Sequence, residues 1–369
     1  MTRITVLDQS DKVNSIDKNG MLELCEKTPE FCRDAIERAE NTQIPYKLPQ
    51  NIIIVGMGGS AIGGDLLKDW LYNRASVTIE VCRDYHLPAY ANQESLIIAL
   101  SYSGETEETL NAFLEAVKRG CLILTLSSGG RLQKFSKKLK IPRIEIPSNL
   151  PPRAALAYTF FPLVILMKKL GIIKDIKGEV QDALNILQTV REENALRVPS
   201  DRNEAKKIAA KINGTIPIIY GFRRYRAVAR RLKCQFNENS KIPSKFEAFS
   251  ELNHNEVVGW EAPMNLTDAF SLLLLRDPLE SPEIKQRIEI TKQMISPKVS
   301  KILEIQAMGT QELAKMLSTM YIGDFVSIYL ALLRGVDPTP TKSIDHLKAE
   351  LKQQLSLSTR FDEEIEKLM

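Results

Sequence analysis

The sequence predicts an α/β protein of two doubly wound parallel-sheet domains with flanking helices. Three observations carry this. Short apolar runs rich in Ile, Val and Leu recur without polar alternation, as strands buried on both faces do. Each is followed by a glycine or polar turn and then an amphipathic stretch of helical period. The succession occurs in both halves of the chain, so each half is expected to build its sheet by strand–helix–strand crossovers.

Taken in order, the first fifty residues read as helical and irregular, closed by the Pro-bounded IPYKLP at 44–49. NIIIVG at 51–56 is a buried parallel strand, GMGGSAIGG a glycine turn, and DLLKDWLYNRA a helix. SVTIEVCRD at 76–84 and SLIIALS at 95–101 are strands, and the second runs through YSGE into the helix TEETLNAFLEAVKRG. CLILTLSSGG at 121–130 and IPRIEIP at 141–147 are further strands, with a helix from Arg131 between them. PSNLPPRAALAYTFFPLVILMKKLG begins with prolines and becomes helical. The polar stretch at 174–213 is expected to carry the linker, with VPSDRN as the break, giving domains 1–195 and 196–369. IPIIYG at 216–221 restarts the pattern and leads into a basic helix; FSLLLLRD at 270–277 and SKILEIQ at 300–306 are strands. A long apolar helix covers 311–335, and KSIDHLKAELKQQL is an amphipathic C-terminal helix.

Composition narrows the function classes. With 44% hydrophobic and 26% charged residues, the 369-residue chain can bury full cores without staples. A net charge of +4 is too small for a nucleic-acid stripe, and the local cluster Arg223, Arg224, Arg226, Arg230, Arg231, Lys233 reads as a solvated helix face. Five scattered cysteines without a C-x-x-C pair argue against a disulfide framework and a zinc site. The N-terminus lacks a signal-peptide core, and the longest apolar runs, such as LAYTFFPLVILM from Leu156, are shorter than a membrane span needs, so a soluble cytoplasmic protein without a membrane partner is expected.

Two turns carry chemistry. Gly56-Met57-Gly58-Gly59-Ser60-Ala61 lies between a strand and a helix, where the backbone can approach an anion at a helix N-terminus. It is not a P-loop, since G-K-[ST] is missing. It fits G-x-G-x-x-A, a weak dinucleotide match with Asp84 after the next strand, and it also fits a tight turn packing helix on strand. Ser101-Tyr102-Ser103-Gly104-Glu105-Thr106 also joins a strand to a helix. An N-cap would need Ser103 alone. Three hydroxyls at one helix start favour a phosphate group, with Glu105, Glu107 and Glu108 turned away from it.

The Ser-x-Ser-Gly-x-Thr pattern after a strand, with the earlier Gly-Gly-Ser turn, resembles the sugar-isomerase (SIS) phosphosugar-binding domain. Further segments resemble the bifunctional phosphoglucose/phosphomannose isomerases: Asn149-Leu150-Pro151-Pro152-Arg153-Ala154, Phe236-Asn237-Glu238-Asn239-Ser240-Lys241, Leu252-Asn253-His254-Asn255-Glu256, and Asp337-Pro338-Thr339-Pro340 leading to Leu347-Lys348. The resemblance covers nearly the whole chain, and the segments together in this order are specific to that family.

The resemblance implies two SIS-type domains and interconversion of glucose, mannose and fructose 6-phosphates through a cis-enediolate, with no metal and no cofactor. It implies that Gly58, Gly59, Ser60, Ser101, Ser103 and Thr106 hold the substrate, chiefly its phosphate. Glu238 would move the proton between C2 and C1, and is expected near a carboxyl-end cleft because it follows the helix after the second domain's first strand. Arg153, stiffened by two preceding prolines, would stabilise the enediolate. His254 and Lys348 would open the sugar ring. Thr341, where pure phosphoglucose isomerases carry a bulkier glutamine, would leave room at C2 for both epimers. His86 reads as a loop residue, and His346 as a packing or solvent-facing residue of an amphipathic helix. The resemblance also implies a homodimer in which His254 acts on the partner's site. Two other readings stand beside it: a non-catalytic sugar-phosphate regulator, which would not need Glu238, Arg153 and His254 together, and a nucleotide-dependent oxidoreductase built on the Gly56 turn.

Overall fold

The buried apolar runs become the central strands of two sheets. A computed structural model describes residues 6–354 and 357–367, and within them the chain divides into two compact units.

One unit comprises residues 30–176 and 341–369. Its strands are β1 (Asn51–Val55), β2 (Thr78–Cys82), β3 (Ser95–Leu100), β4 (Leu122–Ser127) and β5 (Arg143–Glu145), all parallel, in the order β2-β1-β3-β4-β5. β3 is buried along its whole length, and β1 beyond its first residue, which is why they read as unbroken apolar runs. Helix Gly58–Trp70 packs on helix Leu156–Lys169, and helix Glu107–Lys118 receives the C-terminal helix Leu357–Lys367. Phe361 and Ile365 of that last helix enter the core with Leu110, Phe113 and Leu114, and Lys118 Nζ pairs with Glu364 at 2.5 Å.

The other unit comprises residues 1–29 and 177–340. Its parallel strands are β6 (Ile216–Phe222), β7 (Lys245–Phe249), β8 (Phe270–Arg276) and β9 (Lys301–Gln306), in the order β7-β6-β8-β9. Helix Glu312–Leu333 is its centre. By length and composition that helix could cross a membrane, but 94% of its most apolar window is buried inside the protein, so it is a core helix. It packs on helices Lys177–Asn194, Glu204–Ile212 and Tyr225–Glu238. Its Tyr321 hydroxyl donates to Cys25 O at 2.7 Å, and its Tyr329 hydroxyl to Asn194 O at 2.6 Å.

The doubly wound architecture is as expected, but the units divide elsewhere than at residue 195. Helix Lys177–Asn194 buries Ala183, Leu187 and Val190 and packs on helix Glu312–Leu333, so it belongs with the later strands and helices. VPSDRN is only a turn between two helices of one unit. Packing likewise takes residues 6–29 into the β6–β9 unit and the C-terminal helices into the β1–β5 unit. β7 was not anticipated: KFEAF is short, lies at a sheet edge, and buries only its last residue fully.

Candidate active site

In the β1–β5 unit the strand order reverses between β1 and β3, which opens a crevice at their carboxyl ends. The glycine turn follows β1 and the serine loop follows β3. Gly56 must be glycine: a Cβ there would stand 2.9 Å from Leu100 O, at the end of β3. Gly58 (φ +50°) and Gly59 open the helix, and a Cβ on Gly59 would meet Pro152 O at 3.2 Å. The backbone of Pro152 and Arg153 therefore lies against the glycine turn.

Hydrogen bonds hold these loops together. Ser60 Oγ accepts the Tyr102 N–H at 3.2 Å. Ser101 Oγ accepts the N–H groups of Gly104 (3.1 Å) and Thr106 (3.4 Å), and donates to Thr106 Oγ1 at 2.8 Å. Ser103 Oγ accepts the Glu105 N–H at 3.2 Å. Gly104 takes φ +70° and lies so close to Gly129 O that no Cβ fits. Ser101 is buried and shapes the loop from within, whereas Ser103 is exposed and Thr106 half-buried at the crevice. The N-cap of helix Glu107–Lys118 is Thr106, not Ser103, and Thr106 makes no side-chain cap bond. Glu105 is drawn off by Arg131, whose backbone N–H it accepts at 2.8 Å. Burial, and then the neighbouring Glu108, raise the Glu107 carboxyl above its ordinary range.

Arg153 sits on a short 3-10 turn, Pro152–Ala154, and is buried. Tyr102 brings this segment to the serine loop: its hydroxyl donates to Pro147 O at 2.9 Å and accepts the Leu150 N–H at 2.8 Å. Sequence reasoning passed over Tyr102, although it stands inside the SYSGET motif. Its partners are some 45 residues away, so nothing local marks it. The structure thus gathers Gly58, Gly59, Ser60, Ser101, Ser103, Thr106 and the Arg153 backbone around one crevice. Thr341 and Lys348 are in the same unit: the Thr341 carbonyl accepts the Ile344 N–H at 2.9 Å at the start of helix Lys342–Gln354, on which Lys348 is exposed.

Glu238 and His254 belong to the β6–β9 unit. Glu238 is half-buried, the last residue of helix Tyr225–Glu238. A crossover helix runs antiparallel to its strands, so Glu238 reaches the amino edge of its sheet rather than the carboxyl-end cleft expected. Ser244, just beyond, donates to Pro217 O at the start of β6 (2.7 Å). The helix end is anchored on helix Glu312–Leu333. Asn239 Nδ2 donates to Ser327 Oγ (2.9 Å), Ser240 Oγ donates to Ser327 O (2.6 Å), and Arg231 pairs with Asp324 at 2.8 Å. Lys241 Nζ donates to the carbonyls of Glu238 and Pro338. His254 is exposed at the end of the 3-10 turn Glu251–His254, beyond β7. The intervening strand, roughly 16 Å long, separates the points where the two segments leave the sheet. His86 Nδ1 lies 2.5 Å from Glu115, and His346 is exposed on its helix. Among the described residues no three His, Cys, Asp or Glu side chains converge to hold a metal.

Comparison with known proteins gives these structures a context. A family model described as the bacterial phospho-glucose isomerase C-terminal SIS domain matches residues 201–351. A bifunctional phosphoglucose/phosphomannose isomerase from Caldicellulosiruptor bescii is 41% identical over 336 residues, covering 90% of this chain and 99% of that protein. One from Aquifex aeolicus is 37% identical, covering 84% and 92%. A D-glucosamine-6-phosphate 4-epimerase from Sulfolobus acidocaldarius is 31% identical, covering 64% and 72%. Among solved structures, a glucose-6-phosphate isomerase like protein from Thermus thermophilus shares the fold with TM-score 0.60 at 20% identity, covering 91% of this chain and 98% of that one. The tagatose-6-phosphate ketose/aldose isomerase from Escherichia coli does so with TM-score 0.65 at 14% identity, covering 88% and 96%.

Proposed function

The chain belongs to the bifunctional phosphoglucose/phosphomannose isomerase family, and from that premise we propose that it interconverts glucose 6-phosphate, mannose 6-phosphate and fructose 6-phosphate through a cis-enediolate, without a metal. The observation that carries the reading is the junction at the carboxyl ends of β1 and β3, where Ser60 Oγ accepts the Tyr102 N–H and so ties the glycine turn to the loop that bears exposed Ser103 and half-buried Thr106, with the Pro152–Arg153 backbone against the turn.

The substrate phosphate sits at the start of helix Glu107–Lys118, held by the Ser103 and Thr106 hydroxyls and by the N–H groups of the glycine turn. Ser60 and Ser101 keep the two loops in register. His254 and Lys348 move a proton between O5 and O1 to open the ring. Glu238 removes the C2 proton of the aldose and returns it to C1. Arg153 stabilises the charge that develops on the enediolate oxygens. Thr341 leaves C2 enough room for reprotonation on either face, which yields glucose or mannose configuration.

The active unit is a homodimer with shared sites, in which His254 serves the Glu238 of the partner. The separation of their segments along β7 supports this, as do Val258, Met264 and Leu266, exposed large apolar residues in the stretch after His254. Five free thiols are in keeping with a cytoplasmic setting.

The test is a coupled assay on fructose 6-phosphate with chelator present. Glucose 6-phosphate and mannose 6-phosphate should both form, and glucosamine 6-phosphate should keep its C4 configuration. Formation of neither product, or activity lost to the chelator and restored by zinc, overturns the reading.

A further inference from the structure

The sheet of the β6–β9 unit, ordered β7-β6-β8-β9, repeats the order of β2-β1-β3-β4. It therefore has a switch point of its own, between β6 and β8. Ser101 is the first residue past β3, and Asp277 the first past β8; both are buried. Ser101 offers a hydroxyl to its loop, whereas Asp277 brings a carboxylate. Asp277 Oδ1 accepts the Leu279 N–H at 2.8 Å, and Oδ2 accepts the Tyr225 hydroxyl at 2.6 Å. Tyr225 is the first residue of the helix that follows β6. Lys315, in the first turn of helix Glu312–Leu333, brings its ammonium to 3.4 Å from Oδ1. The Lys315 and Asp277 side chains are only 4% and 3% exposed, so neither charge is relieved by water.

A backbone N–H, a phenol O–H and a buried ammonium thus converge on one position, the donor set of an oxyanion site. Burial, and then the bond to Asp277, hold the Tyr225 phenol far above its ordinary range, so it stays a donor. The helix after β8 is closed as well: Ser281 Oγ caps it by accepting the Ile284 N–H, while Thr106 in the other unit makes no such bond. Arg276 beside it is committed to Glu280, Glu289 and Glu304.

We propose that the β6–β8 switch point is an oxyanion site which the chain fills with its own Asp277 carboxylate, so that each chain leaves one switch point open to a phosphate group. The comparison rests on the phosphate reading of the Ser101 crevice. The donor set around Asp277 does not.

The test uses the full chain with Asp277→Ala or Asp277→Ser, which remove the carboxylate and leave Lys315, Tyr225 and the Leu279 N–H facing a small space. Each variant should unfold about 5 °C or more below the wild type, because a buried ammonium loses its partner. Sodium formate at about 100 mM should return at least half of that loss, and sodium chloride at equal ionic strength should not. The wild type should respond to both salts alike. In calorimetric titration with inorganic phosphate, the wild type should take one ion per chain and Asp277→Ser two. Adding Lys315→Met to either variant should abolish the anion response and restore much of the stability. If neither single variant can be recovered, the double variant Asp277→Ala/Lys315→Met decides: a stable, anion-indifferent protein fits, and one as unrecoverable as the singles overturns the proposal. Formate acting no better than chloride, or a wild type that binds two phosphates, also overturns it. A wild type that binds no phosphate, with the formate rescue intact, refutes the Ser101 reading and leaves the Asp277 site standing.

Discussion

Ser60 Oγ accepts the Tyr102 N–H at 3.2 Å, so the glycine turn after β1 and the serine loop after β3 are one braced pair. Both ends of the bond are buried. Ser60→Ala leaves the Tyr102 N–H without its acceptor, at a cost of about 1–2 kcal/mol in stability. The loops should lose register, and KM for fructose 6-phosphate should rise about 3–10-fold with kcat less affected. An unchanged KM would show that the brace has no bearing on substrate.

The Ser103 and Thr106 hydroxyls are assigned to the phosphate. Ser103→Ala with Thr106→Ala should raise KM by about one to two orders of magnitude, as charge-assisted bonds are lost. Substrate analogues without the phosphate should bind the variant and the parent alike. An equal loss for both ligand classes would reduce the pair to loop architecture.

Glu238→Gln keeps the shape of the side chain but cannot accept a proton from carbon. Turnover should fall by about two to four orders of magnitude. A sugar-acid phosphate that mimics the enediolate should still bind, which calorimetry can measure. Near-normal turnover would remove Glu238 from the mechanism.

Shared sites predict complementation. Glu238→Gln and His254→Ala subunits, each nearly inactive alone, are unfolded together and refolded. A mixed dimer has one site with both defects and one with none. Random pairing makes about half the dimers mixed, so about a quarter of wild-type activity should return. A mixture as inactive as its parents, with mixed dimers shown to be present, would place His254 and Glu238 in sites within one chain.

Much of this was legible in the residues because it is local. β1, β3 and β8 are continuous apolar runs between turns, and the serine loop declares itself by spacing. β7 was not legible, since KFEAF at a sheet edge is half exposed and too short to show a period. The edge reached by Glu238 follows from crossover geometry, and Tyr102 acquires its partners only when residues 147–150 fold over it. Asp277 reads in sequence as an ordinary residue ending a strand. Its meaning depends on Lys315, on a helix beyond the next strand.

The interleaving of the two units has a consequence for synthesis. Cys25 waits for Tyr321, 296 residues later, and the other core waits for Phe361 and Ile365. At ordinary ribosomal rates the first of these intervals lasts roughly 15–60 s. Throughout it, Met21, Leu22 and Cys25, buried in the finished protein, have no helix Glu312–Leu333 to pack on. The β6–β9 unit cannot close before helix Glu312–Leu333 has emerged, nor the β1–β5 unit before Phe361 and Ile365, so a nascent chain stalled before residue 312 carries two unfinished cores and is a ready client for a chaperone that shields apolar surface.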